Sequence, residues 1–312
     1  MNEDMHVLYR PQNFDELLGQ DHISKSLLGF EESGKWPHAY LLTGPAGCGK
    51  TSTARIIADK LGALKNNITE IDAASHNSIT DVRTLTEGLQ YTGFGENPTK
   101  IIIIDECHAL SKSAWQGLLK SIEEPPSHVY FILCTTDDHK VPKTIKTRCN
   151  AYTFRSVSVD DLCELIEAVC DDQGIKFEPK MVTLLAREAE GSPRESLTLL
   201  SVARGAENIE ELRELLETAS ENKSVIELCR LLLKPNASSA WTKAIRLVKE
   251  MEDLPVETVR LTVLAYMTKV ALGSKNPPVE ALQIMDAFSG SWNETEKKAP
   301  LLLALGDALL GE

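Results

Sequence analysis

Tyr40-Leu41-Leu42-Thr43-Gly44-Pro45-Ala46-Gly47-Cys48-Gly49-Lys50-Thr51 is the stretch whose reading decides the fold. From Gly44 it spells G-x-x-x-x-G-K-T. The apolar run before it, Tyr40 to Leu42, predicts a short buried strand, and Ser52 to Leu61 after it has helical spacing. Strand, glycine-rich loop and helix in that order are the setting in which this motif cradles phosphates. Glycines at 44, 47 and 49 let the backbone turn its N–H groups inward. The positive end of the following helix adds to the attraction for anions. Lys50 brings a full charge to the β and γ phosphates, and the Thr51 hydroxyl suits Mg²⁺. ATP with Mg²⁺ is therefore expected on Gly47, Cys48, Gly49, Lys50, Thr51 and Ser52. A glycine-rich turn matching by accident is the alternative.

The second half of the site weighs against accident. Lys100-Ile101-Ile102-Ile103-Ile104-Asp105-Glu106 is the strongest strand pattern in the chain. Four consecutive Ile predict burial on both faces, as in the middle of a parallel sheet. Two carboxylates then fall at the strand's C-terminal end, where open α/β sheets bind ligands. Asp105 is placed to hold Mg²⁺ and Glu106 to act as general base on an attacking water. Val129 to Cys134 predicts another buried strand ending in Thr135-Thr136-Asp137. Thr136 there either bonds the γ-phosphate or the water, or merely ends the strand in a turn. Tyr152-Thr153-Phe154 is expected as the last strand of this sheet.

Upstream, Tyr9-Arg10-Pro11 belongs to a segment that either packs across the loop as an adenine slot or only packs. Between the P-loop helix and the Ile run, Ile68 to Asp72 reads as a strand and Ile79 to Tyr91 as a helix. Ser78 is its expected N-cap, with Asp81 at N3. That helix start, with Asn77, Ser78, Thr80 and Arg83, is a candidate contact for a phosphate backbone or simply a capped helix. Tyr91 and Phe94 among glycines are partner anchors or satellite core. From Ser158 the texture becomes helical. Ser192-Pro193-Arg194-Glu195 reads as a capping box that sets Arg194 in a first helical turn. A cation is poorly placed against the helix dipole there, which hints at a ligand anion or at solvation. Residues 208–312 carry only helical periodicities, among them Ile209 to Thr218 and Ser224 to Leu233.

Composition bounds the rest. At 312 residues two or three domains are expected. A formal net charge of −13 argues against a broad basic face on nucleic acid, though not against a small local one. No apolar run approaches membrane-spanning length. The seven Cys are scattered without a C-x-x-C pair, which disfavours zinc and fits a reducing, cytoplasmic setting.

Taken together, Arg10-Pro11, Gly19-Gln20, Gly44 to Thr51, Asp105-Glu106-Cys107-His108, Glu123-Glu124-Pro125-Pro126, Thr135-Thr136-Asp137, Thr147-Arg148-Cys149 and Gly191-Ser192-x-Arg194 resemble the AAA+ ATPase subunits of sliding-clamp loaders. The bacterial DNA polymerase III gamma/tau subunit is most similar, and replication factor C small subunits and phage clamp loaders are alike. The resemblance is dense over residues 8–204. It implies an α/β P-loop domain with a parallel sheet (1–156), a small helical lid (157–207) and an all-α collar (208–312). It implies Arg148 as an arginine finger acting on a neighbour's ATP, with Thr147 in place of the family's Ser. Arg194 falls on sensor 2 and Thr136 on sensor 1. The helix after Ser78 falls on the element that tracks DNA. Leu89, Tyr91 and Phe94 fall near the segment that touches the clamp. Partners implied are a sliding clamp, primer–template DNA and other loader subunits in a pentameric ring or spiral, inside a bacterial cell or a phage-infected host. Two departures stand out. Leu61 to Ile68 replaces the family's four-Cys zinc module, and the long tail of tau is not seen, so a compact loader is expected. A branch-migration motor would share the P-loop and Asp-Glu pair but would want a winged helix after the lid. A non-catalytic loader subunit would not need Lys50, Thr51, Asp105, Glu106 and Arg194 together.

Overall fold

In a computed structural model the chain divides into two compact units, Met1–Asn208 and Ile209–Glu312. Described are residues 4–93, 98–233, 240–251, 254–273, 278–290, 292 and 298–310, with backbone alone at 217–223 and 310. The first unit runs α1 (Met5–Leu8), α2 (Asp21–Ser33), β1 (Ala39–Thr43), α3 (Lys50–Lys60), β2 (Ile68–Asp72), α4 (Ile79–Glu87), β3 (Lys100–Asp105), α5 (Lys112–Glu123), β4 (Val129–Thr135), α6 (Lys143–Lys146), β5 (Asn150–Thr153), α7 (Val159–Gln173), α8 (Pro179–Glu188) and α9 (Pro193–Ala203). The second holds α10 (Ile209–Leu233), α11 (Ala240–Glu250), α12 (Val256–Leu272), α13 (Val279–Ala287) and α14 (Ala299–Leu310).

The five strands form one sheet in the order β2-β3-β4-β1-β5, and every pairing is parallel. Parallel neighbours need long crossovers, and the helices that supply them cover both faces of the sheet. The Ile run of β3 shows the consequence. Ile102 and Ile104 join the core under α4 and α5 with Val82, Trp115 and Leu118. Ile101 and Ile103 join the opposite core under α2 and α3 with Ile23, Leu27, Ala54 and Ile57. β1 and β4 divide in the same way, with Leu41 and Leu133 on one side and Leu42 and Ile132 on the other. Period-two side chains on a doubly covered sheet leave no polar face, so these strands read as unbroken apolar runs.

Caps mark the helix starts. Ser78 accepts from the Asp81 amide while the Asp81 carboxylate accepts from the Ser78 amide, a closed capping box. Ser111, Ser158 and Ser192 cap α5, α7 and α9 through their hydroxyls. The last strand lies two residues earlier than the sequence suggests. β5 pairs with β1 from Tyr40↔Asn150 to Thr43↔Thr153 and ends where β1 enters the glycine loop. The Phe154 amide still donates to the Thr43 carbonyl, but its ring turns into the core. In the second unit the two helices expected at 209–218 and 224–233 are one 25-residue helix. Residues 219–223 contain neither Gly nor Pro, so nothing in the backbone chemistry breaks it. α10 to α14 enclose a core of Val225, Leu228, Leu247, Val263, Ile284, Phe288 and Leu305. No helix among the described residues is long and apolar enough to cross a membrane.

Tyr40, at the start of the run that leads into the loop, is fully buried, and among the described residues its hydroxyl has no hydrogen-bond partner. An unsatisfied buried hydroxyl costs about 1–3 kcal/mol. Tyr40→Phe is therefore expected to leave stability unchanged or raise it by about 1 kcal/mol in urea unfolding. A loss of similar size would show that the hydroxyl is satisfied in solution.

Candidate active site

Three parallel strands, β3, β4 and β1, deliver their C-terminal ends to one edge, with Thr43 level with Thr135 and Ile104 level with Leu133. The Gly44 amide donates to the Thr135 carbonyl at 3.2 Å, continuing the ladder one residue into the loop. There the backbone leaves L-residue space, with φ of +140° at Gly44, +73° at Gly47 and +98° at Gly49. A Cβ on Gly47 would lie 2.0 Å from the Ser192 hydroxyl, so glycine is required for contact with α9 as well as for φ. Lys50, only 6% exposed, turns its ammonium back over the loop onto the carbonyls of Gly44 (2.9 Å) and Pro45 (2.7 Å). The Thr51 hydroxyl donates to the Asp105 carboxylate at 2.8 Å, joining the loop helix to the end of β3. Thr51 and Asp105 bring two hard oxygens together here, the ligand type Mg²⁺ takes, and would hold that ion. Among the described residues no three His, Cys, Asp or Glu side chains group to hold a metal.

Glu106 follows in the left-handed region, at φ +46°, ψ +41°. For a residue other than glycine this conformation costs about 1–3 kcal/mol and persists only where neighbours impose it. Its amide donates to the Asp105 carboxylate (3.0 Å). One of its own carboxylate oxygens accepts from the Thr136 hydroxyl (2.9 Å) and the Thr136 amide (3.3 Å), and His108 Nδ1 lies 3.1 Å from the same oxygen. Glu106 and Thr136 are thus brought together. His108 is a neighbour that sequence reasoning passed over, and its only signal was its position two residues after the carboxylate.

The loop also forms one wall of a cleft. Tyr9, Arg10, Pro11, residues 47–52 and Arg194 all line it, so every residue expected to hold nucleotide faces the same space. His6, Glu16, Leu17, Leu18, Leu165, Pro193 and Leu197 complete the lining and were not foreseen. Apart from His6 and Glu16 these are apolar side chains with no motif, and Leu165 and Leu197 come from helices more than a hundred residues beyond the loop. The Tyr9 hydroxyl donates to Asp172 and accepts from Gln173 (2.6 Å) at the end of α7, tying the N-terminal wall to the helical part. Partial burial, then the bond to Asp172, raises the Tyr9 phenol above its ordinary value. Gln20, fully buried, bonds both backbone groups of Arg155 and so pins the segment that joins β5 to α7. The Cys48 thiol touches the Gly191 carbonyl, and burial holds it above the usual thiol range despite Lys50 nearby.

Other candidates lie elsewhere. Arg148 does not line the cleft. Its guanidinium pairs with Glu123 at the end of α5 and donates to the Thr144 carbonyl (2.7 Å). Asn77, Thr80 and Arg83 are exposed around the start of α4. The Ser78 hydroxyl, however, is committed to the Asp81 carboxylate (2.7 Å). That bond, followed by the one from the Ser78 amide, holds Asp81 below the usual carboxylate range, so the helix start keeps a local negative charge. Leu89 requires correction. It is 4% exposed in the core beneath α4 and α5, because the one turn of 3-10 helix after α4 rotates it inward, and it offers no surface to a partner. Tyr91 is 74% exposed and belongs to no core, and Phe94 lies outside the described residues.

Residues 64–158 match the family model described as DNA polymerase III, delta subunit. The chain is 31% identical over 296 residues to DNA polymerase III subunit tau of Escherichia coli (strain K12), covering 86% of this chain and 45% of that protein. It is 29% identical over 280 residues to DNA polymerase III subunit gamma of Buchnera aphidicola subsp. Schizaphis graminum, covering 81% of this chain and 77% of that one. The chain spans about half the length of the tau relatives it matches. Among solved structures, the Thermotoga maritima RuvB Holliday junction branch migration motor superposes with a TM-score of 0.56 at 22% identity, over 72% of this chain and 80% of that one, a likeness of fold. Its parallel sheet, P-loop edge and trailing helices give the chain the fold of that motor, and over most of its length its sequence is similar to the gamma and tau subunits of DNA polymerase III.

Proposed function

We propose that this chain is an ATP-hydrolysing subunit of a sliding-clamp loader that works in the cytoplasm with a clamp, primer–template DNA and further loader subunits. The observation that carries the reading is the 2.8 Å bond between Thr51 and Asp105, with Glu106 held beside it at the same strand edge. Lys50 and the amides of Gly47 to Ser52 bind the triphosphate, and Tyr9, Arg10 and Pro11 face the base. Thr51 and Asp105 would hold Mg²⁺, which neutralises phosphate charge when bound. Glu106 accepts the proton of the attacking water, and Thr136 orients that carboxylate. Arg194 reaches the phosphates from α9, so residues 157–207 act as a lid whose position reports the nucleotide.

Arg148 pairs with Glu123 away from its own cleft, which suits action in trans. A neighbouring subunit's Arg148 then completes the pocket, and ATP drives the subunits into a spiral that opens the clamp and grips DNA. Asn77, Thr80 and Arg83 are proposed to meet the DNA backbone and Tyr91 the clamp. A branch-migration motor is the less favoured reading. The described elements after residue 208 are all helices, whereas a winged helix needs strands.

In a complex assembled with its partner subunits, clamp and primed DNA, Arg148→Ala is expected to lower stimulated ATP turnover by about 10³–10⁵-fold while ATP still binds. Normal stimulated turnover in that variant would remove the trans-acting role. Lys50→Ala is expected to weaken ATP binding to the isolated chain by at least about tenfold, read by nucleotide titration. An unchanged titration would overturn the P-loop assignment itself.

A further inference from the structure

The contact between His108 and Glu106 carries a role that the motifs do not assign. His108 sits in the single turn of 3-10 helix after β3, with Glu106 as the residue just before that turn. Its Nδ1 lies 3.1 Å from the Glu106 carboxylate and 3.0 Å from the Thr135 hydroxyl. The Thr135 oxygen also accepts from the Asp137 amide at 3.0 Å and is fully buried at the end of β4. A carboxylate cannot donate, so the contact with Glu106 is attractive only when Nδ1 carries the hydrogen. The same Nδ1–H is then shared between Glu106 and Thr135.

Thr136 reaches the same Glu106 oxygen from β4, through its hydroxyl and its amide. The two Thr136 donors and, at 3.1 Å, His108 Nδ1 therefore surround one and the same carboxylate oxygen. Both Thr136 donors come from a single residue on one side of the carboxylate, and Glu106 occupies a backbone conformation that its neighbours must impose. His108 is buttressed on Thr135, which is set by the β1–β4 register and does not move with the turn.

We infer that His108 is a positioning residue. Its Nδ1–H holds Glu106 in the orientation required of a general base and couples that orientation to the end of β4. The inference rests on the hydrolytic reading above. Displacing a reacting group by about 1 Å costs about 10²-fold in rate, which sets the scale of the effect.

The test is DNA- and clamp-stimulated ATP turnover by the assembled complex. His108→Ala and His108→Gln should lower kcat by about 10–100-fold with KM for ATP changed by less than about twofold. His108→Asn, whose side-chain amide N–H sits where Nδ1–H does, should recover most of the rate. Wild-type kcat in His108→Ala, or an Asn variant as poor as Ala, would overturn the inference. Glu106→Gln separates the two levels. If it still turns over, the general-base reading has failed. If it is dead while His108→Ala is normal, only the role of His108 has failed. The ¹⁵N spectrum of the full-length chain gives a readout that needs no turnover. His108 should be the Nδ1–H tautomer and should shift toward Nε2–H in Glu106→Ala. An Nε2–H tautomer in the unmodified chain would equally overturn the inference.

Discussion

The parallel pairing of β1 with β4 is the constraint on which the rest depends. It places the loop after β1 one residue beyond the end of β4, and β4 is itself paired to β3. The loop, the Asp105-Glu106 pair and Thr136 come from three separate stretches of sequence. They meet because three strands end level with one another and their backbone dipoles, loop amides and helix start all face the same edge. Strand order makes this possible. With β4 inserted between β1 and β3, the residue after β4 reaches Glu106 while the helix after β1 reaches Asp105.

Burial on both sheet faces makes that edge rigid. Alternate Ile of β3 are locked into two different cores, so a shift of one residue would move every side chain of the strand from one core to the other. The two carboxylates at the strand end inherit that precision. The local strain at Glu106 is tolerated because the strand before it and the 3-10 turn after it are both fixed by packing, with Cys107 fully buried.

The cleft has a softer side. Its walls are tied to residues 155–203 by Tyr9 with Asp172, Gln20 with Arg155 and Cys48 with Gly191, and Gly47 closely approaches Ser192. The Tyr9–Asp172 tie is exposed, whereas Gln20 and Cys48 are buried. Lys50 from the sheet edge and Arg194 from α9 line the same cleft, so the two parts share its walls.

Much of this was legible in the chain itself. Periodicity located β2, β3 and β4 to within a residue and the start of the capped helix at Ile79, while that helix ends at Glu87, four residues before the expected Tyr91, and passes into a 3-10 turn. The loop glycines, Lys50, Thr51, Asp105 and Glu106 announced themselves because phosphate and metal chemistry needs those types at those spacings. What only the tertiary structure decided depends on contacts between distant residues. Leu89 turned inward, the helices at 209–218 and 224–233 fused, His108 was delivered to Glu106, and Leu165 and Leu197 reached the cleft. No local pattern encodes these outcomes, since each is set by where a strand register or a helix packing happens to place a side chain, and those are properties of the assembled sheet and its covering helices.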